Sequence, residues 1–309
     1  MIDWTVQVTE FLAASVRLGT PVLICALGLI FMERSGMVNI GAEGMMLVGC
    51  LAAVTASYLT GNPWLGALVA MACSGLVALL FAYLTITVKA NQVVIGAAIN
   101  LLGLGLTTTL FRSIFGIDVA LPKIGTFGHW TIPYLVDLPI IGPALFKHGP
   151  LVYLGFILVP ISHYILFQTT IGLKVRAVGE HPRAADTVGI NVFKVRYATT
   201  IAGGILAGLA GAHLAIGMLS FFTEDMVAGR GFIALAAVIF GKWTPFGALG
   251  AALFFGAAEG IMFRGQAVYP GVPSQLLLML PYVLTVAAIA GLVGRATPPA
   301  AAGNPYAKE

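Results

Sequence analysis

Glu33, Arg34, Asn39 and Glu43 stand close together in FMERSGMVNIGAEGMMLVG (31–49), with glycines at 36, 41 and 44 and apolar runs on both sides. Carboxylates, a guanidinium and an amide in such surroundings have three uses. They can carry an ion or proton, bind a polar solute, or satisfy backbone groups where a helix breaks. An ionisable group at the centre of a membrane helix costs about 2.5–3.5 kcal/mol or more, so each of these residues needs a reason. Glu33 and Arg34 end an apolar run and suit an interfacial anchor, snorkelling or paired. Glu43 opens the next run and reads first as a carboxylate capping the N-terminus of the helix it enters. Asn39 lies four residues earlier, on the same face if the turn is helical. Asn39 and Glu43 remain candidates for a solute pathway. Asn100 and Glu259 are the other polar groups deep in apolar runs, and either could line a pathway or cross-link helices. Arg112 and Arg264 read as anchors at helix ends.

A second group is Glu180-His181-Pro182-Arg183-Ala184-Ala185-Asp186-Thr187-Val188-Gly189-Ile190-Asn191. Pro182 suits the first position of a helix and Gly189 a C-terminal stop. The spacing predicts a short helix with small residues on one side and charges on the other. It serves either as a turn between spans or as a docking knob for a soluble partner.

Other chemistry is missing. The sequence has no H-E-x-x-H, no G-x-S-x-G and no metal-spaced His/Cys set. Gly241-Lys242 is followed by Trp243, not Ser or Thr, and no glycine stands five residues before Gly241, so no P-loop is formed. Neither a metal nor a cofactor is predicted, and an ATP-driven process would need its nucleotide site on a partner. An intramembrane enzyme ranks last among the functional classes.

The elements that hold these residues follow from composition. The chain has 309 residues, 59% hydrophobic and 9% charged, with a mean hydropathy of +0.97. Soluble domains carry about 25% charged residues, so this chain belongs in a lipid bilayer. Its long featureless apolar runs favour helices over a β-barrel's short alternating strands. Candidate spans are 11–32, 42–60, 64–87, 93–114, 151–170, 197–218, 231–242, 246–264 and 275–294. The seventh is short enough to be broken or re-entrant. The fold class is therefore an all-α polytopic membrane protein with about 8–10 transmembrane helices, some broken or re-entrant. Residues 115–149, with Pro122, Pro133, Pro139 and Pro143, read as an ordered loop on one membrane face.

Basic residues set the orientation. Residues 171–196 carry Lys174, Arg176, Arg183, Lys194 and Arg196 and are placed in the cytoplasm. Arg34, Lys89, Lys242, Arg295 and Lys308 then fall inside, and Asp3, Glu10, Asp118, Asp137, Glu224 and Asp225 outside. The N-terminus is expected outside and residues 295–309 form a short cytoplasmic tail. No clustered basic–aromatic patch points to nucleic acid. Cys25, Cys50 and Cys73 lie in apolar runs and read as small buried hydrophobes. The start of the chain has no basic region or small-residue cleavage site, so its first helix is expected to direct insertion. Gly204-x-x-x-Gly208 and Gly256-x-x-x-Gly260 place small residues on one helix face, as close packing in a membrane requires. IFMERSGMVNIGA (30–42) echoes IFGKWTPFGALGA (239–251) at both ends, a hint of an internal repeat.

Three segments in order, ERSGMVNIGAEGMMLVG, AVGEHPRAADTVGINVFKVR and GRGFIALAAVIFGKWTPFGALGAALFFG, resemble the permease subunits of bacterial ABC importers. The branch is that for branched-chain amino acids, ribose-type sugars and nucleosides. The resemblance runs from about residue 28 to 290 and its spelling is most similar to nucleoside and simple-sugar permeases. It implies that residues 1–309 form one transmembrane permease domain in the bacterial inner membrane. It also implies a second permease, related or identical, cytoplasmic ATP-binding cassette subunits, and an extracytoplasmic substrate-binding protein. It makes 171–196 a coupling segment in which Glu180, Arg183, Ala184, Ala185 and Gly189 meet the ATPase. Two other readings stay open at this point: a branched-chain amino acid importer, and an ion-coupled secondary transporter or channel that uses Asn100, Glu43 and Glu259 as its path.

Overall fold

The computed structural model describes residues 4–116, 124–128, 130–131, 133, 135–136, 138–268, 276, 279, 283–284 and 296–308. Among these, seven helices are long and apolar enough to cross a membrane. They are α1 (Trp4–Arg34), α2 (Ala42–Thr60), α3 (Pro63–Ala82, continued by a π-helical turn Tyr83–Thr87) and α4 (Gln92–Phe115). After a short α5 (Ile141–Phe146) come α6 (Pro150–Gln168), α7 (Thr170–Glu180), α8 (Pro182–Thr187) and α9 (Val192–Ala212). A π-helical segment His213–Leu219 extends α9, and α10 (Arg230–Phe240) and α11 (Pro245–Val268) follow. The crossing helices are α1, α2, α3, α4, α6, α9 and α11. The expected span 275–294 lies almost wholly outside the described residues. A two-residue antiparallel pairing of Trp130–Thr131 with Lys147–His148, together with α5, orders the described part of the 115–149 connection.

Local sequence sets the helix starts. Asn62 accepts the Trp64 amide (2.9 Å) ahead of Pro63, Asn91 accepts the Val93 amide (2.9 Å), and Asn191 accepts the Lys194 amide (2.9 Å). Each side-chain oxygen satisfies a donor that the first turn leaves unpaired.

α1 is the central rod, packed against α9, α10 and α11, and its C-terminal half is buried. α9 lies between α1, α2 and α3. Small residues set these distances. A methyl on Gly208 would sit 2.5 Å from the Ala70 carbonyl oxygen of α3, and one on Gly256 would sit 2.6 Å from the Gly19 amide of α1. Lipid gives no hydrophobic drive for helix association, so such backbone approach supplies the packing. The first small-xxx-small pair thus faces α3. In the second, Gly256 makes the close approach while Gly260 meets the Phe11 ring and Ser15 Oγ at ordinary distances of 3.4 and 3.7 Å. Large apolar side chains on α3 and α4, such as Leu76 and Leu101, remain exposed and suit lipid or another transmembrane chain.

Two helices start inside the bundle rather than at its end. α10 has 11 residues and so spans about 16 Å, roughly half of a 30 Å hydrocarbon core. The expected span 231–242 is therefore a half-helix. Its N-terminus is reached through a non-helical segment, 220–229, in which Ser220, Asp225 and Ala228 all adopt positive φ. α2 likewise begins beyond a non-helical stretch, 37–39, and meets α4 at Asn100, eight residues into that helix. Non-helical backbone at membrane depth is tolerated only where it is buried in protein or lines water.

Candidate functional site

The stretch that joins α1 to α2 is held by three polar side chains. Gln92 accepts the Val38 amide (2.7 Å), and Asn39 accepts the Gly41 amide (2.9 Å). Asn100 accepts the Gly44 amide (2.8 Å) and donates to the Ile40 carbonyl (3.0 Å). These groups replace the bonds that a continuous helix would make for itself. Residues 37–39 are not helical, so Asn39 and Glu43 do not share a helix face as the four-residue spacing suggested. Asn39 is 1% exposed and also directs its amide at the sulfurs of Met32 and Met45. Asn100 cross-links α4 to the start of α2, which needs close approach. A methyl on Gly44 would sit 2.9 Å from the Asn100 Cα.

Glu43 corrects a second expectation. The first residue before α2 is Gly41, which gives no side-chain cap. Glu43 instead reaches across the bundle to the N-terminus of α10. Its Oε1 accepts the Gly229 amide and its Oε2 the Gly231 amide, both at 2.7 Å. A carboxylate is favoured there by the unpaired N–H groups and the helix dipole. The role expected of Glu43 is thus of the right kind but serves a helix 186 residues further on. Gly231 is required because any Cβ would lie 2.6 Å from the Cα of Glu43. Beside this cap, Arg230 is paired through Nη2 with Glu259 of α11. Its Nη1 donates to the carbonyls of Met226 (3.3 Å) and Val227 (3.1 Å). The side chains of Arg230 and Glu259 are each 13% exposed. Two polar groupings thus sit where the helices break: Asn39 and Asn100 at the junction of α1 with α2, and Glu43, Arg230 and Glu259 at the start of α10.

At the end of α1 the echoed segments meet. Glu33, 4% exposed, accepts the Trp243 indole N–H through Oε2. Arg34 donates to the carbonyls of Trp243 (3.0 Å) and Lys242 (3.4 Å). Lys242 and Trp243 both have positive φ, a costly geometry for L-residues that these bonds help hold. Glu33 is therefore a buried bond acceptor rather than a snorkelling anchor. Arg34 and Arg176 lie over the Phe167 ring, 5.6 and 5.2 Å from its centre, which ties α7 to the same corner.

The 180–191 segment forms a shorter helix than expected. α8 covers six residues, with Pro182 in its first turn and Gly189 at φ +85° just beyond. The Gly189 amide donates to Asp186 O and that of Ile190 to Ala185 O, both at 3.0 Å, closing the helix. Ala185 is buried, whereas Glu180, Arg183, Ala184, Val188 and Gly189 are exposed. Sequence reasoning missed how residues 296–308 lie here. Ala301 N donates to Gly179 O (2.9 Å), Gly303 N to Gly36 O (3.1 Å), and Tyr306 packs on Val178, Ala185 and Val192. Arg196, one of the basic residues of the 171–196 segment, is 1% exposed and donates to Asn304 O at 2.9 Å. Gln92 was also missed, although its place beside the Asn91 cap was a legible signal.

At the opposite end, Arg112 pairs with Glu224 at 2.7 Å. That hydrogen bond holds the Glu224 carboxyl below the ordinary carboxylate range.

A family model described as branched-chain amino acid transport system / permease component matches residues 11–294. The chain is 43% identical to the guanosine ABC transporter permease protein NupQ of Bacillus subtilis, over 96% of this chain and 95% of that one. It is 38% identical to a putative glucose ABC transporter permease protein, TsgC13, of Haloferax volcanii, over 92% of each. It is 36% identical to the nucleoside ABC transporter permease protein NupC of Lactococcus lactis, over 94% of each. No solved structure matches.

Proposed function

Because the chain belongs to the branched-chain amino acid transport system permease family, we propose that it is the membrane-spanning subunit of an ATP-driven importer whose cargo is a nucleoside. The observation that carries the cargo reading is end-to-end similarity to permeases named for guanosine and for nucleosides. The chemistry around the start of α10 supports a neutral cargo, nucleoside or sugar, over an amino acid. A nucleoside, like a sugar, is polar but neutral, so its path needs no unpaired charge. Glu43 is spent on backbone amides and Arg230 on Glu259. A zwitterionic amino acid would call for charged partners of both signs.

In this reading ATP acts on a partner. Cytoplasmic ATP-binding subunits dock on the 171–196 segment, with Glu180, Arg183, Ala184 and Gly189 at the contact and Ala185 as the buried seat. The orientation that follows puts α8 and residues 296–308 inside and the N-terminus outside. A second permease completes the pathway, and an extracytoplasmic binding protein delivers cargo. Nucleotide binding shifts the permease between outward- and inward-open forms only so far as the partner binds the two forms unequally. A half-helix such as α10 fits alternating access, because discontinuous helices form the mid-membrane sites of many transporters.

The test is uptake into proteoliposomes holding the permease pair, the ATP-binding subunits and the binding protein. ATP-dependent uptake of labelled guanosine, competed by adenosine but not by glucose or leucine, is the expected result. Competition by glucose or leucine alone would reassign the cargo to a sugar or a branched-chain amino acid. Uptake by this chain without ATP would instead make it a secondary transporter or channel.

A further inference from the structure

We infer that residues 296–308 form the second wall of the docking surface for the ATP-binding subunit, which is gripped between α8 and this C-terminal segment. The inference rests on the docking role of α8 proposed above.

Size is the first argument. A six-residue helix spans only about 9 Å, whereas a stable interface covers about 800 Å² on each partner. Further surface at this end of the bundle is needed, and the C-terminal segment is fixed beside α8 to supply it. Ala300 N donates to Glu180 Oε2 (3.2 Å) and Ala301 N to Gly179 O (2.9 Å). Tyr306 is wedged under α8 beside Ala185, its ring 5.5 Å from that of Phe193. The segment also covers the buried Arg196, whose guanidinium donates to Asn304 O.

Shape and charge are the second argument. The first turn of α8 and the C-terminal segment enclose an open groove of about 480 Å³. His181, Arg183 and Ala184 line one side and Asn304, Pro305 and Ala307 the other. Both carboxylates of α7 and α8 are engaged by the segment: Glu180, still exposed, accepts from Ala300 N, and Asp186 pairs with Lys308 at 3.3 Å. The exposed cations around α8 are Lys174, Arg183 and Lys194. Such a groove fits a protein protrusion that brings a carboxylate to the Arg183 side and small apolar groups to Ala184, Pro305 and Ala307.

The experiment measures binding of the purified ATP-binding subunit to the intact permease in nanodiscs. Ala184→Glu probes one wall and Ala307→Glu the other, both at exposed positions. Each is expected to weaken association at least tenfold. Weakening by Ala184→Glu with wild-type affinity for Ala307→Glu would overturn the second wall and leave the α8 reading intact. Wild-type affinity for both would discard the α8 reading as well. Hydrogen exchange on the unsubstituted complex gives an independent reading. Amides of residues 303–308 should gain protection when the ATP-binding subunit binds, and unchanged exchange there would count against the proposal.

Discussion

At the residue scale, the costly groups of this membrane protein are explained by the backbone they serve. Glu43 satisfies two amides of a half-helix, and Asn100 satisfies one amide and one carbonyl of a broken junction. Leaving a buried backbone group unpaired costs about 1–3 kcal/mol. Asn100→Leu strands two such groups and is expected to lower the midpoint of thermal unfolding in detergent clearly, whereas Asn100→Asp, which keeps the acceptor for Gly44, should lower it less. Glu43→Gln offers an NH₂ to one of two N–H donors. It should destabilise by about 1–3 kcal/mol, read as a lower unfolding midpoint and faster exchange at Gly229 or Gly231. The Arg112–Glu224 pair gives a pH test. The folded carboxyl titrates below its unfolded value of about 4.3, so its contribution is complete above that pH and disappears as pH falls through the depressed folded value. Wild type should therefore lose its stability advantage over Arg112→Gln only in the acid range. The side chains are 53% and 40% exposed, so water screens the pair and the advantage is small at any pH.

At the element scale, distances between helices are set by the smallest residues. α3 and α9 touch through backbone at Gly208. Gly208→Leu would force them apart at a cost of about 1–3 kcal/mol or more, and is expected to cut the yield of monodisperse protein. Gly105→Leu, on α4 where a side chain meets open space, should leave that yield unchanged. Broken elements follow a different logic. α10 is half a span long, and its N-terminus is capped by a carboxylate from another helix rather than by its own preceding residue. Much of the glycine and amide pattern at 36–44 was legible as a break in the chain. Its partner across the bundle was not, because a carboxylate that caps a helix carries no mark of which helix.

At the scale of the whole molecule, one end of the bundle collects α8, the C-terminal segment and the Arg34–Trp243 corner. In the docking reading, substitutions there should change coupling rather than folding. Gly189 has φ +85° and open space where a side chain would stand. Gly189→Ala therefore isolates backbone strain, of about 1–2 kcal/mol, while Gly189→Arg adds bulk and charge at the contact. The expected result is that Gly189→Ala keeps most ATP-driven uptake and Gly189→Arg loses it, with both proteins inserted. Equal uptake by the two variants would remove Gly189 from the contact.

Composition put this chain in a membrane, because a chain 9% charged cannot cover itself with water-binding surface, and its long apolar runs made it a helical bundle. Runs of apolar residues marked most of the spans, and Asn, Pro and Gly marked their ends, since those signals act within a few residues. Which distant groups meet was decided only by the tertiary structure. Glu43 reaches α10, Glu33 meets Trp243, Arg230 pairs with Glu259, and residues 296–308 return to bury Arg196 and seat against α8. These contacts join residues 29 to 210 positions apart. Helical periodicity reports which face of a segment is apolar, but a polar group's partner is chosen by where whole helices come to lie.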